Sequence, residues 1–208
     1  MLMKDKAALS KYRFPEFKGN RTVELKNGNL LFEPINNKNH NSDLPVLAIS
    51  QEHGAIPRDQ IDYHVSVSDK SLESYKVVEA DDFIISLRSF QGGIEHSSYH
   101  GICSPAYIVL RKKIEMVEQY YKHYFKTNRF IQGLNRNLEG IRDGKMVSYS
   151  QFSDILLPNP DIEEQRKIAD CLNSIDDLIA EQAKKIERLK HYKKGLMQGL
   201  FPICTGGI

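Results

Sequence analysis

Apolar residues recur in sevens from Glu163 to Leu200. One core position takes Ile168, Ile175, Gln182, Leu189 and Leu196, and the other takes Leu172, Ile179, Ile186, Lys193 and Leu200, the spacing of a coiled-coil seam. A seam this long and narrow calls for a partner helix; the plainer alternative is one amphipathic helix packed on its own domain. Gln182 and Lys193 interrupt it, as polar core residues do when they fix register and partner number at a cost in stability. The ends of the helix are signalled too. Pro158 and Pro160 stop what precedes, Asp161 can cap, and Glu163 and Glu164 place negative charge on the positive end of the dipole. Lys184, Lys185, Arg188, Lys190, Lys193 and Lys194 suit the other end, and Phe201-Pro202 terminates it.

Upstream of Pro158 the period is mostly that of strands: Val46–Ile49, Phe83–Leu87 and Ala106–Leu110, separated by glycine turns. From Ile114 the spacing changes, and Ile114, Val117, Tyr121 and Tyr124 predict one face of a helix ending near Thr127-Asn128. Gly133, Gly140 and Gly144 mark loops after it, and Asn36–Asn41 reads as a polar loop without chemistry. The expected fold class is therefore α+β: one globular domain over residues 1–157, a long C-terminal coiled-coil helix over 158–202, and a tail at 203–208. No internal repeat is visible.

Composition bounds the function classes. The chain has 208 residues and a formal charge of +2, which hides a more basic middle. Arg88, Arg111, Lys112, Lys113, Lys122, Lys126, Arg129, Arg136, Arg142 and Lys145 fall there. No long apolar run or signal peptide points to a membrane or to export. Cys103, Cys171 and Cys204 are widely separated, which suits a reducing cytoplasm.

The segment from Pro158 to Pro202 resembles the specificity (S) subunits of type I restriction-modification enzymes. In them a P-x-P-x-x-x-EQ-x-x-I-A-x-x-L opening precedes a long helix ending in K-x-x-L-M-Q-x-L-F-P. The opening here is Pro158, Pro160, Glu164, Gln165, Ile168, Ala169 and Leu172; the exit is Lys193, Leu196, Met197, Gln198, Leu200, Phe201 and Pro202. The match joins non-periodic residues to the heptads, which a generic coiled coil would not reproduce. Tyr12–Phe17, Tyr75–Ile84, Ser89–Ile94 and Gly101–Tyr107 resemble parts of that family's target-recognition domain more loosely. The resemblance implies a non-catalytic DNA-recognition subunit that directs adenine methylation and restriction to a bipartite target. It implies double-stranded DNA, methyltransferase (M) and restriction (R) subunits as partners, with S-adenosylmethionine, ATP and Mg held by those subunits and no cofactor on this chain. Family members carry two recognition domains and two such helices. This chain has one of each, so it resembles a half-length subunit or one half of a longer one, and it is expected to pair with a second copy through the helix.

Bases are read by bidentate Arg to guanine and by Asn or Gln to adenine, while other polar groups mostly grip phosphate. Segments combining these types are the candidate DNA contacts: Arg88, Ser89 and Gln91 in one glycine-rich loop, Arg129, Gln132, Asn135 and Arg136 in a second, and Arg58 at the end of a third that begins at Gln51. Arg142 and Lys145 read as phosphate clamps. Turns with solvent-facing polar groups are the plain alternative for each. Catalytic motifs are lacking: no phosphate loop, no G-x-G-x-x-G, no zinc-spaced cysteines and no adenine-methyltransferase tetrapeptide. Glu95, His96, His100 and Cys103 have metal-like types but read as a turn in strand context, and Asp81-Asp82 reads as a solvated turn. The second function class is a coiled-coil adaptor that binds protein and has no DNA affinity of its own.

Overall fold

The computed structural model describes residues 7–8, 10–19, 22–41, 43–60, 72–136 and 147–201. Arg142, Lys145, Gly140, Gly144, Pro202, Cys204 and the tail lie outside the described residues. In chain order come β1 (Ala7–Ala8), β2 (Val23–Asn27), α1 (Gly28–Leu31), β3 (Phe32–Ile35), β4 (Leu47–Ser50), β5 (Gly54–Pro57), β6 (Lys76–Val78) and β7 (Phe83–Ile85). There follow α2 (Ser89–Gly92), β8 (Glu95–His96), β9 (Gly101–Cys103), β10 (Ile108–Lys112), α3 (Glu118–Tyr124), α4 (Asn128–Arg136), α5 (Tyr149–Ser153), β11 (Leu156–Pro158) and α6 (Ile162–Leu200). The mixed α+β class and the long terminal helix are as the apolar pattern implies, and the three expected strands appear as β4, displaced by one residue, β7, two residues shorter, and β10, displaced by two.

The chain divides into two compact units, residues 1–166 and 167–208, so the first turn of α6 belongs with the globular unit. In that unit an antiparallel sheet runs β3-β10-β7-β8, a second sheet runs β1-β2-β11, and β4-β5 and β6-β9 form separate pairs. Phe32 lies at the centre of the core, its ring 5.3 Å from Tyr121, 5.5 Å from Phe83, 5.7 Å from Phe125 and 5.9 Å from Phe152. The contacts with Tyr121, Phe83 and Phe152 are edge-to-face and that with Phe125 is tilted, and rings at these separations add to the burial of large apolar area. Beside them Leu47, Ala55, Val78, Ile84, Cys103 and Val109 form a second buried cluster. Burial pushes the Cys103 thiol up to about 12, which keeps it protonated and inert.

Three local expectations are corrected. The helix expected from Ile114 begins at Glu118, because the preceding backbone is held elsewhere: Lys113 N donates to Leu31 O (2.8 Å) and Val117 N to Gln165 Oε1 (2.9 Å). Gly133 lies inside α4 rather than in a loop; burial of Phe130 and Leu134, four residues apart on one face, outweighs the roughly 1 kcal/mol that a helical glycine costs. Asp82 is buried, not solvated, and accepts from Arg111 Nε and Nη2, each at 2.8 Å, while exposed Asp81 makes the turn with φ 70°. Carboxylates this deep require such charged partners.

The start of α6 gives the non-periodic Glu-Gln pair a physical role. Glu164 accepts from Arg13 Nε at 2.6 Å and Arg13 Nη2 at 2.5 Å, tying the Tyr12–Phe17 segment to the helix start. Those hydrogen bonds hold the Arg13 guanidinium above its ordinary pKa. Gln165 caps two strands of backbone at once, accepting from Val117 N and donating from Nε2 to Pro160 O at 2.8 Å. Both side chains are almost fully buried. In the second unit Leu172, Ile175, Ile179, Ile186, Leu189, Leu196 and Leu200 are 37–73 % exposed.

Candidate nucleic-acid interface

The three candidate segments, far apart in sequence, converge on α2. Gln51 Nε2, in the turn between β4 and β5, donates to Arg88 O at 3.2 Å. Asn135 Nδ2, on α4, donates to Phe90 O at 2.9 Å, and Lys126 Nζ donates to Gly92 O at 3.2 Å. A one-turn helix leaves its last carbonyls without intrahelical partners; Asn135 and Lys126 satisfy those of Phe90 and Gly92, and Gln51 adds a bond to the Arg88 carbonyl. Gly93 makes the close approach possible. Its φ of +83° lies in the left-handed region, and a Cβ there would stand 2.0 Å from Phe125 O.

This arrangement sorts the candidate residues. Arg88, Gln91, Arg129, Gln132 and Arg136 are exposed and Arg58 is half-buried. Two candidates are corrected. Ser89 is 1 % exposed and its Oγ accepts from Ser86 N at 2.8 Å, so its hydroxyl holds the turn rather than facing a ligand. Asn135 donates to Phe90 O and serves to fix α2 on α4. The segment containing Gln132, Asn135 and Arg136 is a helix, not a loop, and Arg88 precedes a helical turn.

Charge pairing separates structural cations from available ones. Arg111 is held by Asp82 and Glu79, Lys112 by Glu118, Lys126 by Glu95 and Arg13 by Glu164. Among the described residues Arg58, Arg88, Arg129 and Arg136 have no carboxylate partner. Sequence alone listed Arg111, Lys112 and Lys126 with the basic middle and had no means of telling these groups apart. These arginines without a carboxylate are those of the converging segments, although Lys113 and Lys122 also lack one, and unneutralised cations are what electrostatic contact with phosphate or guanine requires.

Between the β4–β5 hairpin and the segment entering α2 lies a cleft of about 920 Å³, lined by Ser50, Gln51, Arg58, Arg88, Glu95 and Tyr107 among others. Burial raises the pKa of the Tyr107 phenol, and Arg58 and Arg88 pull it back, so both cations act on one point. Tyr107 and Glu95 were missed as cleft residues, since a carboxylate and a phenol are not the residue types sought for base or phosphate contact and Glu95 stood out only for its metal-like neighbours. The metal-like cluster is taken up by the protein itself. Glu95 pairs with Lys126, and His96 Nε2 lies 3.0 Å from Asp81 Oδ1; burial lowers the His96 pKa.

The family profile described as the type I restriction modification DNA specificity domain matches residues 22–191. The chain belongs to this family. Among curated relatives it is 28 % identical over 122 residues to the putative type I restriction enzyme MjaX specificity subunit of Methanocaldococcus jannaschii, a match covering 59 % of this chain and 28 % of the relative. It is 29 % identical over 126 residues to the MjaVIII specificity subunit of the same organism, covering 60 % of this chain and 29 % of that one. The specificity-domain fold recurs in solved structures. The HsdS subunit of Thermoanaerobacter tengcongensis superposes with a TM-score of 0.55 at 18 % identity over 87 % of this chain and 49 % of that chain. The type I S subunit of M. genitalium gives 0.52 at 12 % identity over 92 % and 48 %. The matches thus span under a third of the curated relatives and about half of the crystallised chains.

Proposed function

We propose that this specificity-family chain is a non-catalytic, sequence-specific DNA-recognition subunit of a type I restriction-modification enzyme, reading one half of a bipartite target through Arg58, Arg88, Gln91, Arg129, Gln132 and Arg136. The observation that carries this is the convergence of three segments whose arginines are unneutralised, beside other cations that carboxylates hold. The α6 seam pairs with a second copy of the chain, restoring two recognition units. Methyltransferase and restriction subunits complete the enzyme and supply S-adenosylmethionine, ATP and Mg, and the assembly works in the cytoplasm. Relatives named as type I specificity subunits support the reading.

The test is enrichment of a randomised duplex library on the purified chain, followed by binding isotherms at several salt concentrations. A defined half-site should emerge. Arg88→Ala should lose on the order of 1–3 kcal/mol on that site and little on random DNA. Arg142→Ala and Lys145→Ala should weaken both alike and reduce the salt slope by about one unit per lost phosphate contact. A chain that enriches no sequence and binds no duplex is instead a protein-binding adaptor.

A further inference from the structure

Glu95 is 1 % exposed, and its two carboxylate oxygens have different surroundings. Oε1 stands 2.5 Å from Lys126 Nζ; Oε2 is buried with no hydrogen-bond partner among the described residues. Buried carboxylate oxygens are ordinarily satisfied, and the residue lines the same cleft as Arg58, Arg88 and Tyr107. The site therefore has an unused acceptor at its base and unpaired guanidinium donors at its rim.

A ligand that satisfies both must offer a hydrogen-bond donor beside an acceptor. The major-groove edge of a C·G pair does so, with the cytosine N4 amine next to guanine O6 and N7. An A·T pair fits worse. Its adenine N6 amine is flanked by the N7 and thymine O4 lone pairs, which repel a carboxylate, whereas cytosine presents a C5–H on the outer side of its amine. We infer that Glu95 and Arg88 together read one C·G pair of the half-site, Glu95 Oε2 accepting from cytosine N4 and Arg88 donating to O6 and N7 of the paired guanine. This rests on the DNA-recognition role proposed above. Since Oε2 has no solvent-accessible surface in the free chain, contact requires the lining of the cleft around Glu95 to shift as the base pair docks. Burial raises the Glu95 carboxyl pKa, and the hydrogen bond and charge of Lys126 oppose that rise.

The experiment enriches a randomised duplex library on the full chain and on the Glu95→Gln, Glu52→Gln and Arg88→Ala variants, with thermal melts to establish folding. The wild-type half-site should contain a fixed C·G pair. Glu95→Gln should cost on the order of tenfold in discrimination at that pair alone, because an amide both donates and accepts. Glu52→Gln removes an exposed carboxylate of the same cleft but leaves both readers, so it should keep the preference. Arg88→Ala, an exposed change, should relax the same pair and keeps the test open if Glu95→Gln does not fold. A half-site without a fixed C·G pair, unchanged preferences in Glu95→Gln, or the same change in Glu52→Gln would overturn the inference while leaving DNA recognition standing. A wild-type chain that enriches nothing overturns both.

Discussion

Replacing Leu172 and Ile179 with Asp should convert the proposed α6 dimer to monomer. An antiparallel pair with its twofold axis at Lys184 brings the two core positions into register: Ile168 faces the partner's Leu200, Leu172 the partner's Leu196 and Ile179 the partner's Leu189, while Lys193 and Gln182 face the partner's Ile175 and Ile186 at a cost in stability. Each facing pair is equidistant from residue 184, so one heptad pattern complements itself. The seven apolar seam residues Leu172 to Leu200 are 37–73 % exposed in the single chain. Burying the remainder of each yields roughly 1 kcal/mol, or about 14 kcal/mol for two helices. Association costs about 4–15 kcal/mol, so the surplus is small. The double substitution acts on both protomers, removing four apolar contacts worth about 4 kcal/mol and burying four carboxylates at a further cost of at least about 1 kcal/mol each. The total, on the order of 8 kcal/mol, exceeds five powers of ten in Kd. Sedimentation velocity across a micromolar concentration range reads it directly. Wild type should be dimeric and the variant monomeric with its globular unit intact; association unchanged by the double substitution would refute the seam.

Deleting one heptad from α6 shortens it by about 10 Å and should bring the preferred half-sites closer by about three base pairs, measured by methylome sequencing or spacer-variant binding; an unchanged spacer would show that the helix does not set the distance. Arg111→Ala leaves buried Asp82 without its bidentate partner, and because Arg111 is itself about a third exposed the loss should be about 2–3 kcal/mol in urea unfolding. Arg88→Ala should shift the same midpoint by less than about 0.5 kcal/mol. His96 has its folded pKa lowered below the ordinary 6.5, chiefly by burial. Its stability contribution is therefore present above pH 6.5 and falls away as pH drops through that value toward the folded one; His96→Gln should flatten this part of the stability profile, and identical slopes would exclude His96 as its source.

The helix was legible because its signals are local and repeated. Heptads, paired prolines and first-turn acids all lie within one continuous segment, and the resemblance to specificity subunits rested on the same residues. Strands β4, β7 and β10 were legible as short apolar runs, though their ends were not, since pairing partners set them. The role of Glu164-Gln165 could be recognised as a pattern but not explained, because its partners Arg13 and Val117 lie 151 and 48 residues away.

For the candidate interface the sequence supplied residue types and the tertiary structure supplied their state. Composition picked the segments around Arg58, Arg88 and Arg129–Arg136, but in sequence Arg88 and Arg111 are the same residue type, each directly after an apolar strand run. Folding brings Asp82 and Glu79 to Arg111 and brings no carboxylate to Arg88 among the described residues. It also turns Ser89 inward, makes α4 a helix by burying Phe130 and Leu134, and places Glu95 with one unpaired oxygen in the cleft. Periodicity is written along the chain and survives in any context, so the sequence alone determined the seam and the fold class. Charge neutralisation and burial depend on which distant groups arrive within a few ångströms, and those only the tertiary structure decided.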